Sequence, residues 1–258
     1  MILAVDVGNT NIVVGCIEEG RIFHTERVRT EPNATEAEAA IKLRDLLSLM
    51  SVRPEEIEGA VIASVVPPVT ASLAEAIERI TGKQSLIVGP GIKTGLNVKI
   101  DDPATLGADL AAGAVGAIAC YSTPAIIIDM GTATTITLVD GKHCFRGGAI
   151  FPGVNLGFSA LASATSLLPD IYIEKPKRCI GTSTAECMRS GAILGTASMI
   201  DGMIDRMEAE LGEKCTHIAT EGLAPAVISC CRHEILCDEN LLLKGLWAIY
   251  QKNIGRAG

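Results

Sequence analysis

The chain has 258 residues, enough for about two domains or one large one. Hydrophobic residues make up 48% and charged residues 20%, the balance of a globular protein with a substantial core. A formal net charge of −8 and an aromatic content of 3% argue against nucleic-acid binding, which draws on clustered Lys and Arg and on rings for stacking. No apolar run reaches the ~18–20 residues that span a bilayer. The start of the chain lacks the basic, apolar and small-residue pattern of a signal peptide, and Asp6 interrupts its first apolar run. Nine cysteines include no C-x-x-C pair and four histidines show no metal-ligand spacing, so no zinc site is expected. The cysteines read as reduced, mostly buried thiols of a cytoplasmic protein.

The first elements are strands over 2–7, 12–18 and 21–29, the last two joined by a turn at Glu19-Gly20. Between the first two lies Asp6-Val7-Gly8-Asn9-Thr10-Asn11, a short polar turn whose Gly and Asn residues tolerate unusual backbone angles. A carboxylate ending a buried strand, followed by exposed N–H groups and donor side chains, suits a hydrated divalent cation together with a phosphate. Taken alone, the same residues also fit an ordinary hairpin with a surface Asp. Thr35 and Glu38 form a capping box for a helix over 35–50. A buried strand over 60–66 is ended by Pro67-Pro68, a helix over 69–80 follows, and 85–88 is a strand. Residues 89–104, rich in Gly, Pro and Asp, read as a connector. A helix over 105–120 is built of Ala and Gly, small enough to pack very closely against another element.

From Ala125 the opening pattern returns. Ile126-Ile127-Ile128-Asp129 is an apolar strand ending in Asp, and Met130-Gly131-Thr132-Ala133-Thr134-Thr135 is the polar turn after it. Strands follow over 136–139 and 144–151, with Gly141 at the turn between them. Two such units about 120 residues apart indicate a duplicated domain, because the period is far too long for a solenoid. The later chain is helical over 155–164 and 184–210, the second of these opened by a Ser183/Glu186 capping box. Its Met188, Met199, Met203 and Met207 suit a subunit interface or an internal core equally well. A strand over 217–220, a helix over 223–230 and a last helix over 240–252 complete the chain.

With both Asp-Gly turns in view, the sequence resembles the type III pantothenate kinases of the actin/hexokinase/Hsp70-like superfamily. The resemblance rests on the two turns, Asp102-Pro103 with Gly107-Ala108-Asp109, Gly147-Gly148-Ala149-Ile150 with Pro152-Gly153, Ile180-Gly181-Thr182-Ser183-Thr184, and the stretch from Leu243 to Asn253. It implies an α/β protein made of duplicated ribonuclease H-like (actin-like ATPase) domains, mixed β-sheets flanked by helices, over 1–118 and 119–258. It implies ATP-dependent phosphorylation of pantothenate to 4'-phosphopantothenate, the first step of coenzyme A biosynthesis. The cofactors implied are Mg2+ and a monovalent cation, K+ or NH4+, and the assembly is a homodimer with its active site at the interface. By matching position, Asp6 would organise Mg2+ and the transferring phosphate, and Gly8, Asn9, Thr10 and Asn11 would cradle the ATP phosphates. Gly131 and Thr132 would form a second phosphate loop, and Asp129 would bind the monovalent cation. Asp109 would be the catalytic base, a carboxylate well suited to the positive end of a helix. Gly107, Ala108 and Thr184 would touch substrate, Thr184 across the dimer interface.

The sequence departs from the family pattern at four places. The Arg of Gly-x-Asp-Arg is Leu110, which offers no charge to a substrate carboxylate. The Thr-Gly-Gly near the nucleotide is Thr220-Glu221-Gly222, Thr137 stands where an Asp is usual, and Ile100 replaces a common Tyr. A working kinase and a non-catalytic or altered-specificity paralogue acting as a regulatory or structural partner both fit this pattern.

Overall fold

The computed structural model describes residues 1–254 and divides into two compact units. One comprises Met1–Leu96, Asp101–Cys120 and the segment from Asn240 onward; the other comprises Asn97–Ile100 and Tyr121–Glu239. The chain thus crosses between units at Cys120/Tyr121, two residues past the expected division at 118/119. The last helix, expected in the second half, packs with the first unit instead, for a reason of side-chain size given below. No described helix is long and apolar enough to cross a membrane.

The first unit is built on a five-stranded sheet in the order β3-β2-β1-β4-β5. Its strands are β1 (Ile2–Val7), β2 (Asn11–Glu18), β3 (Arg21–Arg29), β4 (Gly59–Ser64) and β5 (Ser85–Ile87). β1 pairs antiparallel with β2 and parallel with β4. Being central, β1 is buried on both faces, and alternation divides its side chains between two cores. Leu3, Val5 and Val7 meet the helices α1 (Glu36–Leu49) and α2 (Pro67–Thr81). Ile2 and Ala4 face α3 (Ala108–Cys120) and α8 (Leu241–Ile254). Thr35 and Glu38 form the expected box at the start of α1. Pro67-Pro68 does not end the preceding strand; it supplies the first residues of α2, where a missing N–H is harmless.

α3 and α8 touch along their backbones. A side chain at Gly116 would run into the carbonyl oxygen of Leu241, and one at Gly245 into that of Ala112. Every residue from Ala111 to Ala117 is buried. The Ala- and Gly-rich helix therefore does pack closely, and its partner is the helix formed last in the chain.

The second unit repeats the plan in a six-stranded sheet, β11-β10-β7-β8-β9-β6. Its strands are β6 (Asn97–Val98), β7 (Ala125–Met130), β8 (Ala133–Val139), β9 (Cys144–Pro152), β10 (Thr216–Thr220) and β11 (Leu236–Cys237). β7, β8 and β9 form an antiparallel meander, and β10 lies parallel to β7 on its other side. This is the arrangement of β1, β2, β3 and β4 over again, as a duplicated domain requires. The helices are α4 (Val154–Ala164), α5 (Thr184–Ser190), α6 (Thr196–Leu211) and α7 (Ala224–Ile228). The long helix expected over 184–210 is interrupted by a π-helical turn, Gly191–Gly195, bounded by glycines that carry no helix-stabilising side chain. Met199, Met203 and Met207 lie against the core of this unit with Ile193, Ile200 and Ile204. All nine cysteines are free thiols, but only Cys16 and Cys144 are buried, so the expectation of mostly buried thiols fails. Apolar sequence neighbours do not bury a thiol that falls on a loop, a helix end or a short edge strand, as Cys179, Cys120 and Cys237 do. Burial pushes the Cys16 thiol up to about 11.

Candidate active site

Alternation places Asp6 on the same face of β1 as Ile2 and Ala4, the face that α3 and α8 cover. It is 9% exposed and sits at the end of the strand, opposite Val13 of β2 and Ala63 of β4. The turn that follows is tight. The Gly8 N–H donates to the Asn11 carbonyl at 2.9 Å, leaving Asn9 and Thr10 exposed at the tip. None of Gly8, Asn9, Thr10 or Asn11 adopts a left-handed φ, contrary to the unusual backbone angles anticipated there. The turn is instead braced from outside by Thr30, one residue past β3. Thr30 Oγ1 donates to the Gly8 carbonyl at 2.7 Å, and the Thr30 N–H donates to the Thr10 carbonyl at 2.9 Å. Thr30 has no motif around it, and only the pairing of β2 with β3 reveals its part.

Asp109 lies half-buried in the first turn of α3, the helix packed on the same face of the sheet as Asp6. Its Oδ1 accepts the Leu110 N–H at 2.8 Å, so the carboxylate folds back over the helix end. A Cβ at Gly107 would crowd Asp109 Oδ1 where it lies, so a side chain there would push the carboxylate aside. Ala108 packs into the core beneath and Leu110 is half-buried beside the carboxylate. Asp102, with its carboxylate on the Ala104 N–H at 3.1 Å, caps the helical turn leading in. The first unit thus brings together Asp6, the Gly8–Asn11 turn and the Gly107-Ala108-Asp109 motif in one layer.

The second unit carries Asp129, Gly131, Thr132 and Thr184. Asp129 occupies in β7 the place Asp6 occupies in β1, opposite Thr135 of β8 and Thr220 of β10. Gly131 and Thr132 are exposed at the tip of the following turn. The brace recurs as well: the Gly153 N–H, one residue past β9, donates to the Thr132 carbonyl at 3.0 Å. A side chain at Gly153 would overlap the carbonyl oxygens of Gly131 and Thr132, so only glycine fits there. Thr184 opens α5 and is exposed. Ser183 Oγ caps that helix by accepting the Glu186 N–H, but the Glu186 carboxylate turns to Thr182 and Arg178, so only half the expected box forms. Those hydrogen bonds, the Thr182 N–H first, hold the Glu186 carboxyl below its usual range.

The departures now have addresses. Glu221 follows β10 with φ of 73°, a left-handed conformation natural to the glycine it replaces. Thr137 is buried on β8 opposite Ile127, and Ile100 lies beside Gly147.

The sequence profile described as type III pantothenate kinase matches residues 2–206. A protein of that name from Halalkalibacterium halodurans is 42% identical over 98% of this chain and 100% of its own length. Among solved structures, component A of (R)-2-hydroxyglutaryl-CoA dehydratase from Acidaminococcus fermentans is similar in fold. It aligns with a TM-score of 0.58 at 14% identity, over 96% of each chain. The ROK hexokinase of Thermus thermophilus aligns with a TM-score of 0.51 at 13% identity, over 97% of this chain and 98% of its own. These two support the fold alone, that of the actin-like ATPases, which the doubled sheet order already indicates. Profile and close relative together span both turns, the Asp109 helix and Thr184, and the chain belongs to the type III pantothenate kinase family.

Proposed function

We propose that this protein transfers the terminal phosphoryl group of ATP to the hydroxyl of pantothenate, the entry reaction of coenzyme A biosynthesis. The observation that carries the reading is the Asp109 carboxylate, held over the start of α3 by the Leu110 N–H and given room by Gly107, in the same layer as Asp6. Neither the fold nor the relatives favour the non-catalytic alternative.

The residues present fit the metals the family implies. Asp6, nearly buried beside an exposed polar tip and flanked by apolar Val13 and Ala63, offers one carboxylate to a divalent ion that keeps most of its water, as Mg2+ does. Asp129 has oxygen-bearing neighbours on both sides and fits a monovalent ion. Such ions supply neutralisation of phosphate charge when bound. The chain's own groups do the rest. Asp109 accepts the proton of the pantothenate hydroxyl as its oxygen bonds to the γ-phosphorus, while the bond from that phosphorus to the ADP oxygen breaks. The Gly8–Asn11 tip and the Gly131-Thr132 tip are each suited to a phosphate, and their braces at Thr30 and Gly153 keep each from reorganising. Gly107 and Ala108 leave the approach to Asp109 unobstructed. Leu110 makes no charged contact, so the grip on the substrate carboxylate comes from elsewhere.

The reading includes a homodimer, with Thr184 meeting the partner's substrate. Its support is a concentration of exposed apolar side chains: six of the twelve large ones exposed among the described residues fall within 150–180. α4 is apolar along most of its length yet buries only Val154. Nine free thiols suit a reducing compartment, and the cytoplasm is the location proposed.

The test is ADP release with pantothenate, Mg2+ and K+ or NH4+. The wild-type protein turns over, and Asp109→Asn loses about 10²–10⁴-fold in kcat, the usual contribution of a positioned base. Absence of pantothenate-dependent ADP release by the wild-type protein overturns the reading.

A further inference from the structure

Four buried side-chain hydroxyls among the described residues have no hydrogen-bond partner: Ser85, Thr134, Thr135 and Thr220. Two of them share one row of the second sheet. Thr135 of β8 and Thr220 of β10 are the register neighbours of Asp129 on its two sides. Paired residues on adjacent strands project to the same face, so the three side chains form the line Thr135, Asp129, Thr220. Thr220 is fully buried, and the Thr135 hydroxyl oxygen is inaccessible. A buried hydroxyl without a partner is costly, and one beside a carboxylate would ordinarily donate to it. Here neither does. The other two orphans have no carboxylate in their rows: Thr134 pairs with Met130 and Phe151, and Ser85 with Ala60.

The first sheet supplies an internal comparison. Asp6 holds the equivalent place, and its register neighbours are Val13 and Ala63. Duplication preserved the carboxylate in both halves but put threonines in its strand register on only one of them. The two carboxylates therefore suit different ions. A small divalent ion retains most of its water and needs only one carboxylate from the protein. A large monovalent ion gives up its water to neutral oxygens, and one carboxylate with two hydroxyls offers those at a total charge of −1. An ammonium ion fits the same set, because each of these oxygens can accept from it.

Building on the assignment of Asp129 to the monovalent cation, we propose that Thr135 and Thr220 are its hydroxyl ligands and set its preference for K+ or NH4+ over a divalent ion. The hydroxyls would turn their lone pairs, not their protons, toward the ion.

The test is rubidium binding by equilibrium dialysis in choline chloride at constant ionic strength, with and without a non-hydrolysable ATP analogue and without pantothenate. Rubidium stands in for potassium. The wild-type protein binds it, and Thr220→Val and Thr135→Val each weaken it by about tenfold, the scale of one neutral polar contact. Thr220→Ser keeps the affinity. In choline chloride alone the valine variants unfold at temperatures no lower than the wild type, since an orphaned hydroxyl has been replaced by an isosteric methyl. Rubidium affinity unchanged in both valine variants overturns the proposal, as does absence of binding by the wild type under both conditions. Binding that survives Asp129→Asn overturns it too, by removing the ion from this row. A failure of the kinase reading alone shows differently, as absent pantothenate turnover with this pattern of rubidium binding intact.

Discussion

Thr30 shows how much of a phosphate loop is decided by a residue outside it. The Gly8–Asn11 turn is closed by the bond from the Gly8 N–H to the Asn11 carbonyl, and the Thr30 hydroxyl holds the Gly8 carbonyl from outside it. Thr30→Val keeps the shape and the backbone bond to Thr10 but removes the side-chain donor. The variant should lose about 1 kcal/mol in urea unfolding, the net value of one such bond. If the turn cradles phosphate, its KM for ATP rises several-fold while kcat falls less. An unchanged KM beside reduced stability would assign the turn's geometry to the backbone alone. At this scale the residue type itself singled out Asp6 and Asp129 as candidates, each a carboxylate before glycine and small polar residues, whereas Asp109 entered only through the resemblance. Thr30, Thr135 and Thr220 were not singled out, because a threonine is ordinary in a strand and its importance comes from the residue across the ladder. Glu221 was recognisable as an intruder, but its φ of 73° belongs to the fold.

The helix α3 connects packing to chemistry. Its small side chains let α8 approach until the two backbones meet at Gly116 and Gly245, and Asp109 rides on its first turn. Gly245→Ala places a methyl against the Ala112 carbonyl and should destabilise the first unit by about 1–3 kcal/mol, with a fall in kcat as Asp109 shifts. Gly195→Ala is the control. That glycine is helical with nothing near its absent side chain, so alanine there should be neutral or gain up to about 1 kcal/mol. Equal losses in both variants would show that the effect is not helix contact. The close packing of α3 was legible in its composition, but its partner was not, since α8 forms more than a hundred residues later and no local pattern links the two. Periodicity likewise predicted one helix over 184–210 and missed the π turn. An extra residue per turn leaves the apolar spacing nearly unchanged over so short a stretch.

For the molecule as a whole, duplication was visible in the recurrence of strand, Asp, polar turn and hairpin. It predicted two sheets of one plan, which the strand orders bear out. Assembly is harder to read, because an interface needs a surface and sequence shows only composition. The Met-rich segment, equally suited to an interface or a core, turned inward. The exposed apolar surface lies instead at 150–180, where Leu167 is 89% and Ile180 is 82% exposed. Exposed apolar side chains so concentrated in one segment suit burial against a second copy. The wild-type protein should sediment as a dimer at micromolar concentration. Leu167→Glu with Ile180→Glu should shift it to monomer by placing charges where they would be desolvated, with little change in unfolding of the second unit because neither side chain is in its core. If Thr184 meets the partner's substrate, activity in this variant falls with dilution and returns at high protein concentration. A double variant that remains a dimer, or a monomer with full activity at every concentration, would separate the patch from the active site.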